Sequence, residues 1–480
     1  MIIHVLAVDY DGTIADNGRV APATVAALAR VRESERKLLL VTGRRLPDLR
    51  AVCGDLDMMF DAVVAENGAL LYFPARREVR TLGAVPEPAL VEALQRRGVR
   101  FDLGSSIVAT DGVFAQPTLA AIREAGVERT LVFNKGALML LPGGITKGTG
   151  LAAALTALEL SPHNLVGIGD AENDHAFLAL CEAAIAVADA VPALRKRADF
   201  VTRGLASAGV IEFIEEHVLA DATALITGLR RHHLELGQAA DGESVSIPAH
   251  GTTLLVVGPP ETGKSTLTGV LVERLAAANR SFCLLDPEGD HQGLAELEGV
   301  VVFGGRPGPT LPNAEELRRL LRQPGGRLVL NLSALTLPAR VTYATHALGA
   351  AAAVRRTSGL PHWLIVDEAH HIVPAEDSSA VEVLRLAGES LTLTAPATAQ
   401  LAPEVRRLAS VVVSTDRGAF QETLGTLQAD RRGPARAPDI GGHALERGEA
   451  LLIALNGATP RLQRFRVARP GVEHRRHHRK

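Results

Sequence analysis

The sequence predicts two consecutive α/β domains in one chain of 480 residues. Three observations carry this reading. Short apolar runs alternate with helical patterns through residues 1–200. An acidic pentapeptide, Asp9-Tyr10-Asp11-Gly12-Thr13, follows the first run. A glycine-rich loop ending in Lys264-Ser265 follows a later one. Both loops fall at the ends of predicted parallel strands, where open α/β sheets place their sites.

Ile3–Val8, Leu38–Val41, Ala62–Ala65, Val166–Ile168 and Ala184–Val187 read as strands buried on both faces, being continuous rather than alternating apolar runs. Helical patterns such as Ala23–Val31 and Gly148–Leu158 lie between them, implying right-handed βαβ units. Residues from Leu82 to Pro142 read as a small α+β insertion. It comprises helix Pro86–Arg96, strand Val99–Ala109, helix Pro117–Ala125, then strands Thr130–Phe133 and Ala137–Leu141. Helix Val210–Val218 closes the first domain, taken as 1–217. A linker, 218–233, follows, with His232-His233 read as a solvated helix end. The second domain, 234–470, opens with Leu234–Leu236 and Ser244–Ile247 flanking Asp241-Gly242 as a hairpin, then strand Thr252–Val257. The Ala-rich run Leu348–Val354 reads as a buried helix. Residues 471–480 form a basic tail whose Glu473–Lys480 stretch reads as solvated.

Composition narrows the function classes. A net charge of -3 gives no global pull toward nucleic acid or membranes, and 3% aromatics argues against a stacking surface for single strands. Three cysteines, Cys53, Cys181 and Cys283, lie far apart and read as reduced buried thiols of a cytoplasmic protein. The N-terminal apolar run is too short for a signal peptide, and no apolar stretch reaches membrane-spanning length.

In the first domain, Asp9 can attack phosphorus, and Asp11 can protonate the leaving oxygen and then activate water. Thr42 follows the second strand and can hold a phosphoryl oxygen, joined by the backbone of Gly43 and Arg44. Lys147 opens a helix and brings a cation and a helix N-terminus toward the phosphate. Asp170 and Asp174, in the loop after Val166–Ile168, can complete an oxygen shell for Mg²⁺ with Asp9. The substrate side is assigned to Gly43, Arg44, Asn67 and Asn173, although Asn67-Gly68 also reads simply as a turn.

These motifs resemble the haloacid dehalogenase-like phosphatases of the Cof-type subgroup: DYDGT at Asp9–Thr13, TGR at Thr42–Arg44, ENGA at Glu66–Ala69, ITKGTG at Ile145–Gly150 and GDAENDHAFL at Gly169–Leu178. The resemblance covers about residues 1–217. It implies a Rossmann-like core and Asp9 as nucleophile through an aspartyl-phosphate. It also implies Asp11 as acid/base, Thr42 and Lys147 as phosphoryl ligands, and Mg²⁺ on Asp9, the Asp11 carbonyl and Asp170 with Asp174 close by. The insertion becomes the cap that selects a small phosphorylated substrate.

In the second domain, Gly258-Pro259-Pro260-Glu261-Thr262-Gly263-Lys264-Ser265-Thr266 fits G-x-x-x-x-G-K-[ST] between a strand and a helix. Its backbone N–H groups can wrap the β-phosphate of ATP, Lys264 can reach the β- and γ-phosphates, and Ser265 can ligate Mg²⁺. Trp363–Val366 is an apolar strand ending in Asp367, suited to the metal shell, and Glu368, suited to positioning water. Too little chain follows for the second RecA-like domain of a DEAH helicase. The hairpin, GPPETGKST, LLDPEGDH at Leu284–His291 and WLIVDEAHHIVP at Trp363–Pro374 resemble FtsK/HerA-type ATPases over about residues 230–467. That likeness implies a RecA-like P-loop NTPase fold.

One departure is specific. Such translocases carry Thr-Gln on the strand after Asp-Glu, whereas this chain has Thr394-Ala395, with Gln400 out of register. That argues against motor action more than against ATP binding. Arg417, Arg431 and Arg432 are candidate arginine fingers across a subunit boundary, or ordinary surface arginines. The resemblance predicts a homo-oligomer, with a hexamer the leading expectation. His370 and His371 are expected to point to different faces as polar residues at the site edge. The whole reads as a phosphatase of small metabolites joined to an ATPase that regulates or assembles it. The alternatives are a nucleic-acid machine or a nucleotide-binding scaffold.

Overall fold

The computed structural model describes residues 3–134, 136–220, 228–306, 308–375, 380–431, 444–455 and 462–472. The chain divides into two compact units, Ile2–Ile226 and Thr227–Lys480. Arg432 and the Glu473–Lys480 tail lie outside the described residues.

The first unit is built on an eight-stranded sheet. Val5–Val8 lies at its centre, parallel to Leu165–Gly169 on one side and Lys37–Val41 on the other. Ala183–Ala186 and Ala62–Ala65 extend the parallel region outward. Every residue of Val5–Val8, Ala62–Ala65 and Leu165–Gly169 is buried, as expected for strands covered by helices on both faces. Two further strands, Leu70–Phe73 and Glu78–Thr81, continue the sheet antiparallel. The second reads Glu-Val-Arg-Thr, and its exposed edge carries charge where pairing with another chain would otherwise threaten.

The insertion is a separate four-stranded antiparallel sheet with helices Pro88–Arg96 and Ala115–Ala125. Leu90, Leu94, Val108, Ile122, Leu138 and Leu140 form its own small core. The expected single strand Val99–Ala109 is instead a hairpin, Phe101–Leu103 paired with Val108–Asp111. Gly104 donates to the Ile107 carbonyl at 2.9 Å, and the N–H groups of Ser105 and Ser106 leave the ladder for the Glu66 carboxylate. A buried acceptor on the other layer thus turns the chain where the apolar pattern alone reads straight on.

The second unit carries an eleven-stranded sheet. Seven strands run parallel in the order Val411–Ser414, Thr253–Val257, Leu391–Ala395, Trp363–Val366, Phe282–Asp286, Arg327–Asn331 and Val300–Gly304. Four antiparallel strands, including the hairpin His233–Gln238 with Ser244–Pro248, complete it. His233 is therefore the first residue of a strand, its Nδ1 3.2 Å from Ser246 Oγ, and not a solvated helix end. Helix Leu337–Ser358 buries Ala344, Ala347, Leu348, Ala351 and Val354 against the parallel region. The Arg355 guanidinium, on the same helix, donates to the backbone carbonyls of Pro361, His362, Ala387, Glu389 and Ser390. Five carbonyls satisfy it without a carboxylate, and burial lowers its pKa to about 10. Among the described residues no helix is long and apolar enough to cross a membrane. All three cysteines are buried, and none forms a disulfide.

Candidate active site

Three adjacent parallel strands of the first unit end at one place. Asp9 leaves Val5–Val8, Thr42 leaves Lys37–Val41, and Asp170 leaves Leu165–Gly169. The helix Lys147–Ala157 supplies the fourth member. Thr146 caps its N-terminus, and a reciprocal bond with Thr149 fixes where the helix begins. Gly148 allows the approach: a Cβ there would lie 2.4 Å from the Ala176 carbonyl oxygen. Gly68, with φ +101°, does the same from the other side, since a Cβ would stand 1.9 Å from the Thr146 carbonyl oxygen. ENGA is therefore a seat for the lysine helix as well as a turn.

The Lys147 ammonium is buried and donates to Asp9 Oδ1 and Asp174 Oδ1, both at 2.6 Å. Asp174 Oδ2 takes the N–H groups of Asp170 and Ala171 at 2.8 and 2.9 Å, which folds the acidic loop around it. Thr13 donates to Asp170 Oδ1 at 3.0 Å. Asp9, Asp170 and Asp174 each offer a carboxylate oxygen within 4.8 Å of the others, and all three are buried. Burial first, then the Asp174 charge, pushes the Asp9 carboxyl well above its usual range, against the pull of Lys147. Burial alone would lower the pKa of Lys147; the Asp174 and Asp9 charges more than reverse it and keep it charged.

One ammonium bonds two of the three buried carboxylates, Asp9 and Asp174. The donors are all hard oxygens. Both facts fit a divalent cation of the Mg²⁺ type held by Asp9, Asp170 and Asp174.

Asp11 is placed differently. Its carboxylate accepts two bonds at 2.7 Å from Arg44 Nε and Nη2. Arg44 in turn lies over the Tyr10 ring at 5.3 Å. The arginine assigned to substrate thus holds the assigned acid/base. Thr42 is buried, with its Oγ1 accepting the Arg44 N–H at 3.1 Å. Asn173 Nδ2 donates to Asn67 Oδ1 at 2.8 Å, and Asn67 Nδ2 contacts Met139 Sδ of the insertion. A Cβ on Gly43 would meet Asn67 Nδ2 and Met139 Cε at 3.2 Å. Gly43, Asn67 and Asn173 therefore gather under the insertion. Glu66 was named in the sequence only within ENGA and given no role; buried at φ +52°, it accepts from Ser105 and Ser106 at 2.8 and 3.0 Å and ties the insertion to the core. Its place in ENGA was the available signal.

A second cluster lies at strand ends of the other unit. The loop from Gly258 to Gly263 leads into helix Lys264–Ala277. Glu261, Gly258 and Gly263 all have positive φ, which curls the loop so that Lys264 Nζ reaches back to the Gly258 carbonyl at 2.9 Å. The same nitrogen is 3.4 Å from Glu368 Oε1. Ser265 and Thr266 open the helix. Asp367 accepts from Thr394 Oγ1 at 2.6 Å and lies 3.0 Å from His291 Nε2. Asp286 accepts the N–H groups of Gly289, Asp290 and His291, which turns DPEGDH back toward Asp367. Burial would lower the pKa of His291, yet the Asp367 charge raises it to about 9.

LLDPEGDH was among the motifs read from sequence, but nothing in it revealed that His291 meets Asp367. His370 and His371 do not diverge: the tight turn Ala369–His371 brings their ring centroids to 4.0 Å. Arg417 begins helix Arg417–Arg431 beside the Gly258–Gly263 loop, and the side chain of Arg431 lies outside the described residues.

Residues 6–102 and 115–214 match the profile of the haloacid dehalogenase-like hydrolases. A phosphoglycolate phosphatase of Methanothermobacter thermautotrophicus is 34% identical over 221 residues, spanning 44% of this chain and 97% of that protein. One from Haloarcula marismortui is 30% identical over 219 residues, spanning 44% and 95%. A solved haloacid dehalogenase-like hydrolase from Bacteroides thetaiotaomicron is 18% identical, with a TM-score of 0.38, covering 44% of this chain and 98% of its own. Through its first unit the chain belongs to the haloacid dehalogenase-like hydrolases.

Proposed function

We propose that the first unit is a Mg²⁺-dependent phosphatase of small phosphorylated metabolites, phosphoglycolate foremost, and that the second unit binds and hydrolyses ATP. The observation that carries the first part is the buried Asp9–Lys147–Asp174–Asp170 cluster at the joined ends of three strands. Asp9 supplies the nucleophilic oxygen. Its bond to phosphorus forms as the bond from phosphorus to the ester oxygen breaks, and the leaving oxygen takes a proton from Asp11. Asp11 then accepts a proton from water, whose oxygen attacks phosphorus and frees Asp9 and phosphate. Thr42 and Lys147 hold phosphoryl oxygens. Asp9, Asp170, Asp174 and the Asp11 carbonyl would hold Mg²⁺, which when bound supplies charge neutralisation between the carboxylate and the phosphoryl group. For Asp11 to act, Arg44 must leave it. A substrate carboxylate offers Arg44 an equivalent bidentate partner, and this, with the names of the relatives, supports phosphoglycolate.

The second part rests on Lys264 and Ser265 beyond Thr253–Val257 and Asp367 and Glu368 beyond Trp363–Val366, two strands with Leu391–Ala395 between them, with Lys264 Nζ 3.4 Å from Glu368 Oε1. Ala395 at the strand end favours a regulatory or assembling role over a motor, and three buried cysteines outside any disulfide favour the cytoplasm. A homo-oligomeric ring accords with this role. The test is phosphate release from a panel of phosphoglycolate, sugar phosphates and nucleotides, with and without ATP. Asp9→Asn should abolish it and spare ATP hydrolysis; Lys264→Ala should do the reverse. Unchanged turnover in Asp9→Asn would reject the first part, and unchanged ATP binding in Lys264→Ala the second.

A further inference from the structure

A cavity of about 460 Å³ opens beside the Gly258–Gly263 loop, lined by Glu261 and Thr262, by Thr415–Arg417 and by Ala444–Arg447. Its size lies within the roughly 300–1,000 Å³ of small-molecule sites. It shares a wall with the loop: Thr262 Oγ1 is 2.6 Å from Thr415 Oγ1, and a Cβ on Gly258 would stand 2.2 Å from that same oxygen. The walls are fixed. Asp416 Oδ1 accepts the Ala419 N–H at 2.8 Å and caps the helix that begins at Arg417. Arg464 donates to the Ala444 carbonyl at 3.0 Å, and the Glu446 N–H donates to Glu449 Oε2 at 2.8 Å. Arg417 and Arg447 line the cavity without a hydrogen bond or ion pair among the described residues.

The sheet order fixes which end of a nucleotide this cavity can serve. Thr253–Val257, which delivers the loop, has Leu391–Ala395 and then Trp363–Val366 on one side and Val411–Ser414 on the other. Asp367 and Glu368, with the chemistry of the terminal phosphate, lie on the first side. The cavity lies on the second, at the end away from that chemistry.

We infer that this cavity receives the base and ribose of the nucleotide, and that Arg417 serves the site of its own chain rather than a neighbour's. The guanidinium planes of Arg417 and Arg447 offer stacking faces for a base. The carboxylates of Asp416 and Glu446 offer acceptors for ribose hydroxyls or an exocyclic amine. This rests on the ATP reading of the second unit, so the test separates the two.

Calorimetric titration of the full chain compares ATP with inorganic tripolyphosphate. Arg417→Ala with Arg447→Ala should weaken ATP about tenfold, in keeping with stacking of about 1–2 kcal/mol, while leaving tripolyphosphate unchanged. Leu445→Trp, which fills the cavity without altering charge, should do the same and guards against a folding defect in the double variant. Lys264→Ala should weaken both ligands. Parallel loss of both ligands in the arginine variants would place these residues on the phosphates and overturn the inference. Unchanged ATP affinity in Leu445→Trp and in the arginine variants would also overturn it. Failure of the wild type to bind either ligand would instead overturn the ATP reading on which it stands.

Discussion

Replacing Lys147 by Met tests the charge balance of the first site. The lysine side chain is 1% exposed, with Asp9 at 6% and Asp174 at 0%, so solvent screens none of the three appreciably. Met keeps most of the volume and removes the ammonium that bonds the two carboxylates. Breaking a buried ion pair by deleting one partner costs about 3–5 kcal/mol, because the remaining charge stays buried. For a unit of this size each kcal/mol moves Tm by about 2–4 °C, so the first unit should melt about 6–20 °C lower in EDTA. Scanning calorimetry reads this directly. Adding Asp9→Asn removes one orphaned carboxylate and should restore part of the loss, a coupling that neighbours sharing a network must show. A shift below about 2 °C, or a double variant no more stable than Lys147→Met alone, would refute the idea that Lys147 neutralises this cluster.

Two further outcomes follow from other contacts. Glu66→Ala removes a carboxylate that takes two backbone N–H groups of the insertion, each such bond being worth about 1.5–3 kcal/mol. KM for phosphoglycolate should rise, and limited proteolysis at Gly104–Ser106 should quicken; unchanged values in both would show that Glu66 does not hold the insertion. Burial, then His371, lowers the pKa of His370 to about 4. The unfolded imidazole binds its proton near pH 6.5, so stability of the second unit is full above that value and falls as pH drops toward about 4. Trp363, the single tryptophan and buried in that unit, reports the urea midpoint by fluorescence; His370→Gln should flatten its fall between about pH 7 and 5, and an unaltered slope would count against a neutral His370.

The parts of this architecture legible in sequence were those carried by contiguous residues. Val5–Val8 and Asp9 are adjacent, and a short apolar run followed by carboxylates signals strand and site together. Lys264 follows its own loop in the same way. The contacts that sequence did not reveal join residues far apart in the chain. Glu66 meets Ser105, and His291 meets Asp367, through the crossing of elements whose local patterns say nothing of each other. The strand Glu78–Thr81 lacked an apolar signal because its residues lie mostly exposed at a sheet edge. The Phe101–Asp111 hairpin was missed because its turn residues Gly104, Ser105 and Ser106 are held from outside the hairpin. Arg44 was assigned to the substrate from its place beside Thr42, and its bond to Asp11 was not legible because the two residues lie on different strand ends.

The most direct test of the central claim is acid-quench mass spectrometry of the Asp11→Asn variant mixed with Mg²⁺ and p-nitrophenyl phosphate, whose phenolate leaves without a proton from residue 11. In the proposed mechanism Asp9 forms the bond to phosphorus, and Asp11→Asn removes the carboxylate that activates water against it. The account predicts a phosphoryl mass increment accumulating on the peptide that contains Asp9, absent when Asp9 is also changed to Asn. Phosphate release with no such adduct, or an adduct on any other residue, would contradict it.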